Sequence, residues 1–200
     1  TADAAFAGGS QVGAGDYVIY KGPGTSVNVT GLIPEAAYHV AVYEFNGSGG
    51  TENYLTPGAT GSRSTLAAQP GIQASAVSFA SPTETSLTVS WTRGDGADCI
   101  VLMRQGGAVS WVPADGATYA AKAAFAGGSQ VGSGNYVVYK GAGTSVNVTG
   151  LAANTIYHVA VYEFNGSGNR EGYLTPGSTG SRSTLVAQPG TQASAVSFTS

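Results

Sequence analysis

Residues 6–13 read Phe-Ala-Gly-Gly-Ser-Gln-Val-Gly, and residues 125–132 read the same. The offset is 125 − 6 = 119, and it holds without a gap: between 1–81 and 120–200, 63 of 81 positions are identical. A fixed period governs any fold assignment, because each unit must bury its own apolar face or borrow a neighbour's. A period of 119 residues is the length of a domain, not of a solenoid turn. The window is also out of phase with the period. The repeat divides it into 1–70, the later part of one unit without its first three strands; 71–189, a complete unit; and 190–200, the start of the next.

Within the unit, short runs rich in Val, Thr and Tyr alternate with Gly, Ser, Asn and Pro clusters. This is the pattern of an all-β sandwich or barrel. Strands are expected at Ser75–Phe79, Ser86–Thr92, Cys99–Arg104, Tyr136–Lys140, Ser145–Thr149, Ile156–Phe164 and Ser181–Leu185. Leu87, Val89 and Trp91 alternate with Ser and Thr, and Tyr157, Val159 and Val161 share one face of their strand. Seven such strands suit two packed antiparallel sheets. Residues 1–70 carry the counterparts of the last four, and Gln192–Phe198 that of the first.

Composition excludes several classes. Net charge is −3 with no Lys/Arg run, so neither nucleic acid nor an anionic membrane is an expected partner. No apolar run approaches a membrane span. A single cysteine, Cys99, rules out a disulfide framework.

Ser86-Leu-Thr-Val-Ser-Trp91 resembles the second strand of a fibronectin type III domain, and Thr149-Gly-Leu151 followed by Tyr157-x-Val159-x-Val161 resembles that family's E–F corner and sixth strand. The resemblance implies tandem immunoglobulin-like antiparallel sandwiches. It implies a structural core around Trp91, Leu151 and Tyr157, matched by Leu32 and Tyr38 in the first piece, with the Tyr157 hydroxyl on nearby backbone. Gly106 to Asn135 departs from the family as a long C–C′ insertion carrying Trp111, Pro113, Tyr119 and Phe125. Tyr136-Val-Val-Tyr-Lys140, Val161-Tyr-Glu-Phe-Asn-Gly-Ser-Gly168 and Tyr173-Leu-Thr175 further resemble repeats of large surface and secreted proteins of Bacteroidota. That likeness implies an extracellular or cell-surface location.

Candidate sites are sparse. His39 and His158 are repeat equivalents without a partner histidine or carboxylate pair, so they read as ordinary strand residues. Cys99 reads as a small buried residue. Arg93-Gly94-Asp95 is an RGD tripeptide in a Gly-rich loop and reads as a chance match. Asp95, Asp98 and Asp115 fit no calcium-loop spacing. Asn28, Asn46, Asn147 and Asn165 open formal glycosylation sequons, and the Asn-Gly pairs among them read as turns. Tyr43, Phe45, Tyr162 and Phe164 lie on the outer face of the sixth strand. Trp111, Tyr119, Tyr162 and Phe164 are therefore the candidate ligand contacts, as an aromatic platform for a sugar ring. The competing and preferred expectation is that the 106–135 insertion folds over that face.

No catalytic residue, metal or cofactor is expected. The function expected is a structural or adhesive repeat of a long extracellular fibre, associating with adjacent repeats or copies of the same protein. The alternative is an accessory spacer or carbohydrate-binding module of a secreted multidomain hydrolase, with surface polysaccharide as partner.

Overall fold

The computed structural model describes every residue except 193, 199 and 200. The chain divides into two compact units, Thr1–Ala68 and Gln69–Ser200. All regular structure among the described residues is β.

The second unit contains β7 (Ser75–Ala80), β8 (Ser86–Thr92), β9 (Asp98–Gln105), β10 (Gln130–Val131), β11 (Asn135–Gly141), β12 (Ser145–Thr149), β13 (Ile156–Asn165), β14 (Gly172–Tyr173) and β15 (Ser178–Ser183). β1 to β6 belong to the first unit, Thr1–Ala68. Two antiparallel sheets form. One runs β12-β8-β7. The other runs β10-β11-β9-β13-β14, with β15 also paired to β13. The two sheets make an all-β antiparallel sandwich.

The alternation of β13 explains its place. Tyr157, Val159 and Val161 point into the sandwich and join Leu87, Val89 and Trp91 from the facing sheet; all are 4% exposed or less. The intervening residues Ala160, Tyr162 and Phe164 point the other way and are also buried, in a second cluster. β9 does the same: Cys99, Val101 and Met103 face the first cluster, Ile100 and Leu102 the second. A strand buried on both faces carries a nearly unbroken apolar run, as Cys-Ile-Val-Leu-Met shows. In β11 a bulge between Val137 and Tyr139 changes the parity. Val137 therefore faces the second cluster, while Val138 and Tyr139 both face the first.

The last strand is Ser178–Ser183, three residues earlier than the sequence suggests at its start. Its residues Ser-Thr-Gly-Ser-Arg-Ser carry no apolar signal. The strand exists because its main chain pairs with β13 from Val161↔Ser178 to Ile156↔Ser183. Leu185, which draws the sequence-based boundary, lies outside it and is 51% exposed. Residues 190–200 also differ from expectation. No strand forms over their described part, and 193, 199 and 200 lie outside the described residues.

The first unit contains β1 (Gln11–Gly13), β2 (Asp16–Tyr17), β3 (Ala37–Val42), β4 (Phe45–Asn46), β5 (Asn53–Tyr54) and β6 (Ala59–Ser64). They pair two by two, as β1-β2, β3-β6 and β4-β5. The four strands expected here are reduced to two of full length, β3 and β6. The counterpart of β11 shrinks to Asp16–Tyr17, and the counterpart of β12 survives only as a bridge, Thr30 to Ala5. In the second unit those strands pair with β9 and β8, for which residues 1–68 hold no counterpart.

Candidate functional site

The richest concentration of aromatic and charged side chains lies on the outer face of β13, under residues 106–134. Trp111 stands edge-on to Tyr119 at 5.1 Å, and Tyr119 leads to Tyr173 at 6.1 Å and on to Phe164 at 5.0 Å. The Tyr162 hydroxyl donates to the Trp111 carbonyl at 3.3 Å, and the Tyr173 hydroxyl to that of Ala117 at 2.9 Å. Burial raises the pKa of both phenols, Tyr173 the more strongly. The four candidate ligand contacts are thus brought together, but with the segment packed on them. Phe164 is 1% and Tyr162 5% exposed, so neither ring offers a free face, while Trp111 and Tyr119 are half-buried.

Two ion pairs flank this cluster. Lys140 Nζ lies 3.1 Å from Glu171 Oε1 and 5.0 Å from the centre of the Phe164 ring. Glu171 is fully buried and also accepts from the Thr118 hydroxyl. Burial alone would raise its carboxyl, but the hydrogen bonds from Thr118, its own main chain and Lys140 outweigh that and hold it below the usual carboxylate range.

The second pair was not singled out from sequence. Glu163 is fully buried, and Arg93 Nε meets its two oxygens at 2.8 and 3.1 Å while Nη2 meets Oε2 at 2.9 Å. The Gly94 N–H donates to the same carboxylate at 3.0 Å. The signal was present: counting by two from Tyr157 through Val159 and Val161 places Glu163 in the inward row, where a carboxylate requires a cation.

This pair also settles where the RGD tripeptide points. Arg93 is committed to Glu163, and Asp95 accepts from the Ile72 N–H at 2.8 Å. Asp115 is likewise occupied, accepting from Tyr173 N–H at 2.7 Å and Gln69 Nε2 at 2.9 Å. Among the described residues no three His, Cys, Asp or Glu side chains converge to hold a metal. Cys99 is fully buried and desolvation pushes its thiol up to about 12, the opposite of an activated nucleophile. His158 lines a shallow depression of about 200 Å³ with Val109, Thr179 and Ser181.

Leu151 and Tyr157 have counterparts in equivalent places of the first unit, Leu32 and Tyr38, while Trp91 has none within residues 1–68. Trp91, Leu151 and Tyr157 are buried together. The Tyr157 hydroxyl accepts from the Ala152 N–H at 2.9 Å, and the Tyr38 hydroxyl accepts from the Ile33 N–H at 2.9 Å. Phe125 packs edge-on against Tyr136 and Tyr157, as Phe6 does against Tyr17 and Tyr38. Leu32 and Tyr38 are only half-buried.

No protein-family model matches the sequence, and no curated relative does. Solved structures are similar at low identity. The fibronectin type-III domain of human fibronectin type III domain containing protein 3 aligns at 14% identity over 66% of this chain and 100% of its own, with a TM-score of 0.40. A segment of two fibronectin type-III domains from chicken tenascin aligns at 20% identity over 78% of this chain and 69% of that segment, with a TM-score of 0.37. The fn3 domain of the human collagen alpha-1(XX) chain aligns at 19% identity over 66% of this chain and 97% of its own, with a TM-score of 0.36. No helix among the described residues is long and apolar enough to cross a membrane, which leaves β-barrels unaddressed.

Proposed function

We propose that the chain is a non-catalytic structural and adhesive repeat module of a long extracellular surface fibre or stalk, in which one sandwich per 119 residues sets reach and neighbouring copies associate. The observation that carries this reading is the repeat itself, 63 identities in 81 positions, joined to the internal use of the second unit's polar groups. The side chains that chemistry would need, Arg93, Asp95, Asp115, Glu163 and Glu171, are each bonded within their own fold. Many near-identical weak modules give avidity rather than one strong site. Short linkers such as Gln188-Pro189-Gly190 limit bending between beads. The bacterial cell-surface setting follows from the resemblance of the repeat motifs and supplies the location in this reading.

Negative-stain imaging of the native protein released from its source tests the proposal. Filaments of regularly spaced beads are expected. A compact particle with a catalytic domain beside a few beads would replace this reading with the secreted-hydrolase one.

A further inference from the structure

Along one edge, β13 passes from one partner strand to another. It pairs with β14 at Phe164 and Asn165 and with β15 from Val161 back to Ile156, which leaves Tyr162 and Glu163 between the two. The Gln73 side chain bonds at this step. Its Oε1 accepts from the Glu163 N–H at 2.7 Å, and its Nε2 donates to the carbonyls of Leu174 at 2.7 Å and Pro176 at 2.9 Å. One N–H and two carbonyls call for an amide, because a carboxylate offers no donor and an ammonium no acceptor.

The residues just before Gln73 are fastened to the same end of the sandwich. Gln69 Nε2 donates to Asp115 at 2.9 Å, and Pro70 is buried. The Ile72 N–H donates to Asp95 Oδ1 at 2.8 Å, and the Ile72 carbonyl accepts from the Asp95 N–H at 3.3 Å. A Cβ on Gly94 would stand 1.9 Å from that carbonyl oxygen, so only glycine admits the approach. β7 itself begins weakly by comparison. Its pairing with β8 is interrupted between Ser75 and Ser78, where Ala76 has a φ of 50°.

We propose that residues 69–73 are a tension-carrying clasp, which passes a pull entering the second unit from Gln73 directly to β13 rather than through β7. β13 suits the task, being paired with β9 on one side and β15 on the other, while the Glu163 carboxylate ties the same residue to Arg93. β15 runs from Ser178 beside Val161 to Ser183 beside Ile156, so the chain leaves toward the opposite end of β13 and a pull lies along that strand. The bonds of the clasp then break before β7 is stripped from β8. The clasp rests on the reading of the chain as a stalk module, which supplies the tension.

Single-molecule force spectroscopy on the full chain, held by its two ends at constant force, tests this. The second unit is the longer and gives the larger length step. Forced unfolding reads its unfolding rate. Gln73→Ala should raise that rate about tenfold, the scale of a lost hydrogen-bond set. Asp95→Ala, at an exposed position, removes one bond of the clasp and should raise it about threefold. A second point of attachment separates tension from stability. A handle on Ser78→Cys, also exposed, leaves the clasp slack, and the buried Cys99 does not compete for the handle. Pulled from there, the clasp stays formed as the unit opens, and Gln73→Ala should change the rate by less than about twofold. An unaltered rate in the end-to-end pull would overturn the clasp. So would an equal rise from both attachment points, which would make Gln73 an ordinary stabilising residue. The fibre reading would stand or fall separately, on the imaging of native material.

Discussion

Tyr157-His-Val-Ala-Val-Tyr-Glu-Phe164 and Tyr38-His-Val-Ala-Val-Tyr-Glu-Phe45 are one sequence in two surroundings. In the second unit Val159, Val161 and Tyr162 are 1%, 0% and 5% exposed; their counterparts Val40, Val42 and Tyr43 are 44%, 58% and 47% exposed. The local devices survive in both: the tyrosine hydroxyl on backbone, the Phe–Tyr contacts, and the hydroxyl of Thr184 or Thr65 bonding the carbonyl of Ala152 or Ile33 at 2.7 Å. What differs is the presence of β7, β8 and β9. Identical residues therefore make identical turns and corners, but only partner strands from elsewhere in the chain make a core. Full burial of one Val or Phe is worth about 1.5–3 kcal/mol, so within residues 1–200 the second copy is held much more firmly than the first.

Hydrogen exchange should show the largest contrast. Amides of β13 paired with β9 should exchange only through opening of the whole sandwich. Amides of β3 should exchange faster by a factor on the order of a thousand or more. Equal protection in the two strands would mean that the first unit holds itself together without a second sheet.

The buried ion pair gives the next contrast. Arg93→Met leaves Glu163 charged in the core without a cation and should cost the second unit about 3–5 kcal/mol. Glu44, the counterpart of Glu163, is exposed, and Glu44→Gln should change stability by less than about 0.5 kcal/mol. Trp91 and Trp111 both belong to the second unit, so urea unfolding followed by tryptophan fluorescence reads that unit alone. Adding Glu163→Leu to Arg93→Met should recover much of the loss. A double variant as weak as the single one would show that the arginine acts through packing rather than charge.

The contrast also marks what a sequence can show. β8 and β12 are legible to the residue, because Leu87, Val89 and Trp91 in β8, with Val146 and Val148 in β12, alternate with polar residues on a half-buried surface. β15 is not, because Ser, Thr, Gly and Arg announce nothing and main-chain pairing alone fixes its register. β10 and β14, two residues each, are too short for any period. In the first unit the pattern for the fourth and fifth strands is intact while the strands are not, since alternation states which face is to be buried and not whether anything buries it. The site divides the same way. The aromatic residues of the outer face are visible as an excess needing cover, and Glu163 was readable from parity. The contacts of Lys140 and Thr118 with Glu171 join distant segments and leave no local trace.

Acid should separate the units by a smaller amount. The Glu171 carboxyl is held below its unfolded value. The stability it contributes is thus complete above the ordinary carboxylate range and is lost as pH falls through its lower folded value. The urea midpoint of the second unit should decline on acidification, and Glu171→Gln should flatten that part of the profile. An unaltered profile would assign the acid sensitivity to other carboxylates. The counterpart Lys21–Glu52 pair is also formed, but the Lys21 side chain is 47% exposed. Added salt should therefore weaken it, while the Lys140–Glu171 pair changes little.

The smallest contrast reverses its direction between the units. Asn154 and Glu35 occupy the same place, the turn before β13 and before β3, with φ of 51° and 54°. Their N–H groups donate to the equivalent carbonyls of Leu185 at 2.9 Å and Leu66 at 3.1 Å. Asn visits this left-handed region readily because its short side chain bonds locally, whereas a longer L-residue pays on the order of 1 kcal/mol. Asn154→Glu should therefore destabilise the second unit by about 1 kcal/mol in the tryptophan-detected urea curve. Glu35→Asn should slow exchange in β3 by up to about fivefold, since only part of that unit opens through the turn. Opposite signs from mirror substitutions would show that turn geometry is set locally and alike in both copies. If Asn154→Glu costs nothing, the turn has relaxed, and the similarity of the two φ values does not reflect a shared constraint.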